Sequence, residues 1–249
     1  MGFIPSGKLA QVSNSNFKFP FKNRLTISLY HFASLIIIFH KKQRDYNQFI
    51  TWIKMDFLQP SPYVIKLATL KRYGASNDAW VETGTFRGQT TRNLASMGKF
   101  VVSIEPSEYL YNEARLELRD CGNVELLHGT SEEKLETAIQ EVKSKGYSSL
   151  SLWLDGHYSD GPTYKGEKDS PIVYELHVVE RALSYFDNLT VLVDDVRCFD
   201  PENPIFSDYP TINYLVDWAT RLNLKWTIEF DIFIARKISS TISLQSNNL

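Results

Sequence analysis

The chain has 249 residues, is 43% hydrophobic and 22% charged, and carries a net charge of −2. That is the composition of an ordinary soluble globular chain and the length of one α/β domain with extensions. The charge balance gives no reason to expect nucleic acid as a main partner. Two distant cysteines, Cys121 and Cys198, near no His/Cys cluster, read as reduced thiols of a cytosolic protein.

Residues 1–54 differ from the rest. Every charge before Asp45 is positive: Lys8, Lys18, Lys22, Arg24, Lys41, Lys42 and Arg44. Between them runs the apolar stretch Leu25–His40, interrupted by His31 and Ser34. As a helix its apolar part spans roughly 22 Å, short of the about 20 residues that a bilayer core needs. The basic flank is that of a secretory signal, but no small-residue cleavage site follows. Three readings stay open. The segment is a helix packed on the domain, an interfacial helix touching a membrane or partner through residues 25–40, or sequence upstream of a start at Met55. The expected division is an extension over 1–54 with a short apolar helix, a main domain over 55–237, and a disordered Ser/Asn-rich tail over 238–249.

Pro60 and Pro62 open the main domain. Tyr63–Tyr73 has Val64, Leu67 and Ala68 at helical spacing, with Lys66, Lys71 and Arg72 outside. The strand Ala79–Val81 leads through Glu82, Thr83, Gly84, Thr85 and Gly88 into a helix over Thr90–Met97, which Gly98 ends as a C′ residue. Gly84 and Gly88 let the backbone turn sharply and approach a ligand. A strand feeding a helix through glycines also aims backbone N–H groups and a helix dipole at one spot, suited to an anion or a polar nucleotide part.

A second strand, Phe100–Ile104, ends in Glu105, an acid about 20 residues after Gly84, where nucleotide-binding α/β folds bind ribose hydroxyls. Ser107 caps a helix over Glu108–Cys121, closed by Gly122. After a third strand, Val124–Leu127, Thr130 and Glu133 form a capping box for a helix over Glu132–Lys145. Thr130, Ser131 and Glu132 either touch an adenine or only cap. The fourth strand, Ser149–Leu154, ends in Asp155-Gly156-His157-Tyr158. A long polar loop follows, then a helix over Pro171–Phe186 with Pro171 at its first position and Ser170 as cap. The fifth strand, Leu189–Val193, ends in Asp194-Asp195. A second irregular loop, Arg197–Asp208, precedes a helix over Thr211–Leu222. Leu224–Phe230 and Asp231–Ala235 close the chain as an antiparallel hairpin.

Alternating strands and helices predict an α/β fold: a doubly wound, mostly parallel, seven-stranded Rossmann-like sheet with a terminal antiparallel hairpin. Ligands bind such sheets at the strands' carboxyl ends. Glu82, Gly84, Glu105, Asp155, His157, Asp194 and Asp195 all fall there. If the fourth and fifth strands are neighbours, three aspartates converge, and they then need protonation, arginines or a cation. Hard oxygen ligands suit Mg²⁺ or another hard divalent ion. His157, two residues past Asp155, is placed to act as a general base on a hydroxyl that the metal acidifies.

The motifs VETGTFRGQTT, VVSIEP, WLDGHYS and VLVDD together resemble the class I S-adenosylmethionine-dependent methyltransferases. More narrowly they are similar to metal-dependent O-methyltransferases of the macrocin type, which act on sugar hydroxyls. The resemblance covers about residues 60–236. It implies S-adenosylmethionine as cofactor, held by Glu82, Thr83, Gly84, Thr85, Glu105, Thr130, Ser131 and Asp155. It implies Mg²⁺ on Asp155, Asp194 and Asp195, and Asp155 and His157 as the catalytic pair. The partner is then a small-molecule hydroxyl acceptor, such as a sugar or glycoside. Tyr158, Tyr164, Arg197, Phe199 and Phe206 would line the mouth, and such aromatics equally suit a phenol or a polyketide.

The chain departs from the pattern in three places. Phe86 stands where the commoner E-x-G-x-G has its second glycine, and Thr130-Ser131 stand where an Asp often contacts adenine. The long 156–170 loop offers Tyr158 and Lys165 as other bases. Two rival readings are a non-catalytic Rossmann-like nucleotide-binding module and a nicotinamide-dependent oxidoreductase. The latter lacks G-x-G-x-x-G and leaves the aspartates unexplained. A cytoplasmic protein is expected, with membrane association through the N-terminal segment as the alternative, and a homo-oligomer stays open.

Overall fold

The structure, a computed structural model, describes residues 42–156 and 170–237. The chain divides into two compact units, Met1–Asn47 and Gln48–Leu249. Residues 42–54 are helical (α1), and 42–47 are the described part of the first unit. In the second unit Trp52 is buried and packs edge-on against Phe57 and Phe230, with ring centroids 5.0 and 5.8 Å away. The packed unit thus takes in residues that the sequence reading put in the extension. No helix among the described residues is long and apolar enough to cross a membrane, and Leu25–His40 lies outside them.

Seven strands form one sheet: β1 (Ala79–Thr83), β2 (Phe100–Glu105), β3 (Val124–His128), β4 (Ser149–Leu154), β5 (Asn188–Val193), β6 (Lys225–Glu229) and β7 (Ile232–Lys237). Their order is β3-β2-β1-β4-β5-β7-β6. β1 to β5 pair in parallel, and β7 runs antiparallel between β5 and β6. This is the sheet the alternation predicted. The central strands β1, β2 and β4 are buried along their whole length, as near-continuous apolar runs in a covered parallel sheet should be. The helices are α2 (Tyr63–Gly74), α3 (Gln89–Met97), α4 (Glu108–Glu117), α5 (Ser131–Ser144), α6 (Ile172–Ala182) and α7 (Ile212–Arg221).

Strand alternation divides the core between the two sheet faces. Val81, Val102, Leu152 and Val191 share one cluster with Leu135, Leu176 and Trp218 of α5, α6 and α7. Trp80, Val101, Trp153 and Leu192 share the other with Leu70 of α2 and Leu94 of α3. Each fully buried side chain of this size stabilises by about 1.5–3 kcal/mol. Trp80 also explains Gly98. A Cβ there would meet the Trp80 ring at 2.7 Å, and Gly98 is extended at φ −109°, not the left-handed C′ residue expected. Packing chose this glycine, and the turn did not.

Other boundaries moved by a turn or less. α4 stops at Glu117, short of Cys121. Pro171 is the N-cap of α6 rather than its first residue, and the Ser170 hydroxyl accepts from Ile172 N at 3.4 Å. The capping box of Thr130 and Glu133 is present as predicted. The β6–β7 hairpin forms as expected, but two residues read as strand make its connection. Phe230 and Asp231, with φ of 50° and 74°, form its two-residue turn, and both central residues are left-handed as a type I′ hairpin requires.

Candidate functional site

The chain passes from β1 outward to β2 and β3, then returns to β4 on the other side of β1. The carboxyl ends of β1 and β4 therefore flank the topological switch point, where ligands bind in open α/β sheets. Register puts Thr83 beside Leu154, so Gly84 and Asp155 follow side by side. Leu154 in turn pairs with Val193, so Asp155 and Asp194 leave the sheet as neighbours.

At the end of β1, Glu82 is completely buried. Its Oε2 accepts from the Thr91 hydroxyl at 2.5 Å and the Ser103 hydroxyl at 2.6 Å. Its Oε1 is buried with no hydrogen-bond partner among the described residues. Burial pushes its pKa up to about 7, against the pull of the two hydroxyls. A buried carboxylate with one oxygen unserved is costly, so it is a place where a ligand donor would be welcome.

The turn after β1 is built on backbone contacts. Gly84 sits at φ 82°, and Gly84 N and Thr85 N both donate to Ile104 O, at 3.0 and 3.1 Å. A Cβ on Gly84 would stand 2.3 Å from Asp155 O, so only glycine lets the two strand ends close. Phe86, at φ 52°, holds a left-handed conformation that glycine adopts more readily. Phe86 N donates to Glu105 Oε2 at 2.7 Å, and Ser107 N donates to Glu105 Oε1 at 2.9 Å. Glu105, expected to bind ribose, thus ties the glycine turn to β2, and each of its oxygens keeps a further lone pair. Thr130 caps α5, while Ser131 is buried at the start of the same helix.

At the end of β5 the charges are arranged differently from the sequence expectation. Lys66, assigned to the outer face of its helix, turns inward. Its Nζ lies 2.5 Å from Asp194 Oδ2 and 2.8 Å from Asp195 Oδ1. Burial works against the ammonium charge, but Asp194, Asp195 and Asp155 outweigh it and hold Lys66 above the ordinary lysine pKa. Arg197 pairs with Asp195 through both ends of its fork, at 2.6 and 3.0 Å. It also pairs with the fully buried Asp231 and donates its backbone N–H to Asp231 Oδ1 at 2.8 Å. Asp195 itself is left-handed, at φ 55°, and these partners hold it there.

The predicted Mg²⁺ does not fit this arrangement. Asp155, Asp194 and Asp195 come together as expected, and Asp155 lies near enough for its charge to act on Lys66. Yet no group of three His, Cys, Asp or Glu among the described residues is placed to hold a metal ion. The carboxylates of Asp194 and Asp195 face Lys66 and Arg197 instead.

The structure therefore brings together Glu82, Thr83, Gly84, Thr85, Glu105 and the three aspartates at the carboxyl ends of the central strands. His157, Tyr158, Tyr164 and Lys165 lie outside the described residues. Phe199, expected at the mouth, is buried and packs against Tyr209 with centroids 5.5 Å apart. Sequence reasoning missed Lys66, Thr91, Ser103 and Asp231. It also missed Tyr63, whose hydroxyl meets Thr90 Oγ1 at 3.3 Å and Asn93 Nδ2 at 3.2 Å. One signal was available: Tyr63 and Lys66 stand one helical turn apart, so they share a face.

Strand order and register define a doubly wound, Rossmann-like α/β fold, with the mixed, hairpin-ended sheet that the class I methyltransferase resemblance implied. No family model and no curated protein matches the chain. Among solved structures it is similar to an O-methyltransferase from Bacillus cereus in complex with S-adenosylhomocysteine (15% identity, TM-score 0.47, 78% of this chain and 90% of that one). It is also similar to the O-methyltransferase TomG from Streptomyces achromogenes, involved in tomaymycin synthesis, in complex with S-adenosylmethionine (16%, 0.46, 78% and 89%). A third is Aeropyrum pernix fibrillarin with natively bound S-adenosyl-L-methionine (11%, 0.42, 70% and 74%). These are distant likenesses, and the fold description rests on the strand order and register above.

Proposed function

We propose that the chain is an S-adenosylmethionine-dependent O-methyltransferase acting on a hydroxyl of a small molecule. The observation that carries this reading is the β1–β4 switch point. There a glycine turn packs directly on Asp155 O, beside a buried glutamate with one oxygen unserved among the described residues. The macrocin-type resemblance makes sugars and glycosides the first acceptors to test.

The cofactor's chemistry is a methyl group on a sulfonium, ready for in-line displacement. The chain's task is to align and activate the acceptor. In this reading Glu82 Oε1 would accept from the cofactor's ammonium. Gly84 and Thr85 form the floor of the turn, and Glu105 keeps the ribose side in register. Asp155 faces the reacting centre from the end of β4. His157 would take the proton of the acceptor hydroxyl, so that the oxygen can receive the methyl group the cofactor supplies. Because the aspartates do not fit a metal as arranged, no step is assigned to one.

The test is calorimetric titration of the protein with S-adenosylhomocysteine. Micromolar binding supports the reading and moves the work to acceptor screening with glycosides and phenols. Absence of binding sinks it. Binding of the cofactor without methyl transfer to any acceptor would instead favour a nucleotide-binding module.

A further inference from the structure

The electrostatic problem posed by Asp194 and Asp195 is solved by the chain itself. Asp194 Oδ2 accepts from Lys66 at 2.5 Å, and Asp194 Oδ1 accepts from Asp195 N at 2.8 Å. Asp195 Oδ1 accepts from Lys66 at 2.8 Å and from Arg197 Nη1 at 2.6 Å. Asp195 Oδ2 accepts from Arg197 Nη2 at 3.0 Å. All four carboxylate oxygens thus have a donor, and the bridging donor is an ammonium. A divalent ion bridging the same pair would have to displace that ammonium or sit against it, like charge beside like charge.

Lys66 is also firmly placed. Only 17% of its side chain is exposed. It comes from the first turn of α2, where Lys66 N donates to Pro62 O at 3.2 Å. Next to that turn the Ser61 hydroxyl donates to Phe230 O at 2.8 Å. Phe230 belongs to the same two-residue turn whose Asp231 grips Arg197. One turn therefore anchors both cations that face the aspartate pair.

We propose that Lys66 is the resident cation of this site, taking the electrostatic place that the resemblance gives to a divalent metal, so that the site works without one. As a statement about charge this stands on the geometry alone. As a statement about methyl transfer it rests on the function proposed above. Two of the ammonium's three N–H donors serve the aspartates, and the third is free among the described residues to meet an acceptor oxygen.

Electron paramagnetic titration of the full chain with Mn²⁺ tests this without requiring activity. The wild-type chain should bind no stoichiometric Mn²⁺ below about 1 mM. Lys66→Met exposes the carboxylates and should gain at least about tenfold in Mn²⁺ affinity, and Asp194→Asn in that background should remove the gain. One Mn²⁺ per wild-type chain, lost on Asp194→Asn, overturns the proposal. A folded Lys66→Met chain with no gain also overturns it, because Lys66 would then not be what excludes the ion. If Lys66→Met fails to fold, Lys66→Gln takes its place, and the wild-type titration decides by itself. Failure to bind S-adenosylhomocysteine would remove the methyltransferase reading and leave the Mn²⁺ result standing.

Discussion

The hydroxyl of Thr91, in the first turn of α3, donates to Glu82 Oε2 at 2.5 Å and so joins that helix to the end of β1. With Ser103 it serves one oxygen of a carboxylate whose other oxygen has no partner among the described residues. The unfolded chain ionises Glu82 near 4.5, whereas burial raises it to about 7 in the fold. Its contribution to stability is therefore complete below about pH 4.5 and is lost as pH rises through 7. That difference amounts to roughly 3 kcal/mol. In urea denaturation at pH 5 and pH 8, wild type should lose about 2–3 kcal/mol more across that interval than Glu82→Gln. Equal losses would mean that Glu82 is not perturbed.

Gly84 and Gly146 offer a matched pair. Both are left-handed, at φ 82° and 83°. A Cβ on Gly84 would strike Asp155 O at 2.3 Å, whereas one on Gly146 meets nothing within 4 Å. Gly146→Ala should cost about 1 kcal/mol, the backbone term alone. Gly84→Ala should cost roughly 3 kcal/mol or more and weaken S-adenosylhomocysteine binding. Similar melting temperatures for the two variants would count against the close approach of β1 and β4.

Asn77 is a structural counterpart, remote from the strands' carboxyl ends. Its buried Nδ2 donates to Leu150 O and Ser151 Oγ, both at 2.9 Å. Asn77→Ala leaves those acceptors short of a donor and should destabilise by about 2–3 kcal/mol. Calorimetric affinity for S-adenosylhomocysteine, measured where the variant is folded, should stay within about twofold of wild type.

Asp231 tests the clamp on the loop that follows β5. Asp231→Asn tolerates the left-handed backbone and keeps an acceptor for Arg197 N, but it loses the charge that faces the guanidinium. A cost of about 1–2 kcal/mol in thermal denaturation is expected, tempered by the partial exposure of Arg197. Asp231→Ala also loses the backbone acceptor and should cost more. Equal costs for the two variants would show that charge, not the hydrogen bond to Arg197 N, holds the loop.

Much of the architecture was legible residue by residue. β4 runs over Ser149–Leu154 as read from its apolar run, and the Thr130–Glu133 box starts α5 as its spacing requires. Such features depend on neighbours a few positions away, which a sequence displays directly. Gly98 failed that logic because its constraint is Trp80, a contact with another element. Lys66 failed it too. Helical spacing assigns a lysine to the outside by default, yet a long side chain at the edge of an apolar face can turn inward when acids await it.

The sequence by itself determined the alternation of elements, the glycine turn and the acids at the strand ends, because periodicity and turn chemistry act over a few residues. Only the tertiary structure decided which of those acids meet and what neutralises them. Lys66 and Asp194 are 128 positions apart, and Arg197 and Asp231 are 34 apart. Strand order brings each pair into contact, and strand order is set by which apolar faces the whole chain can bury at once. A carboxylate's partner, whether metal, proton or lysine, depends on charges within a few ångströms, and that distance exists only once the sheet has closed.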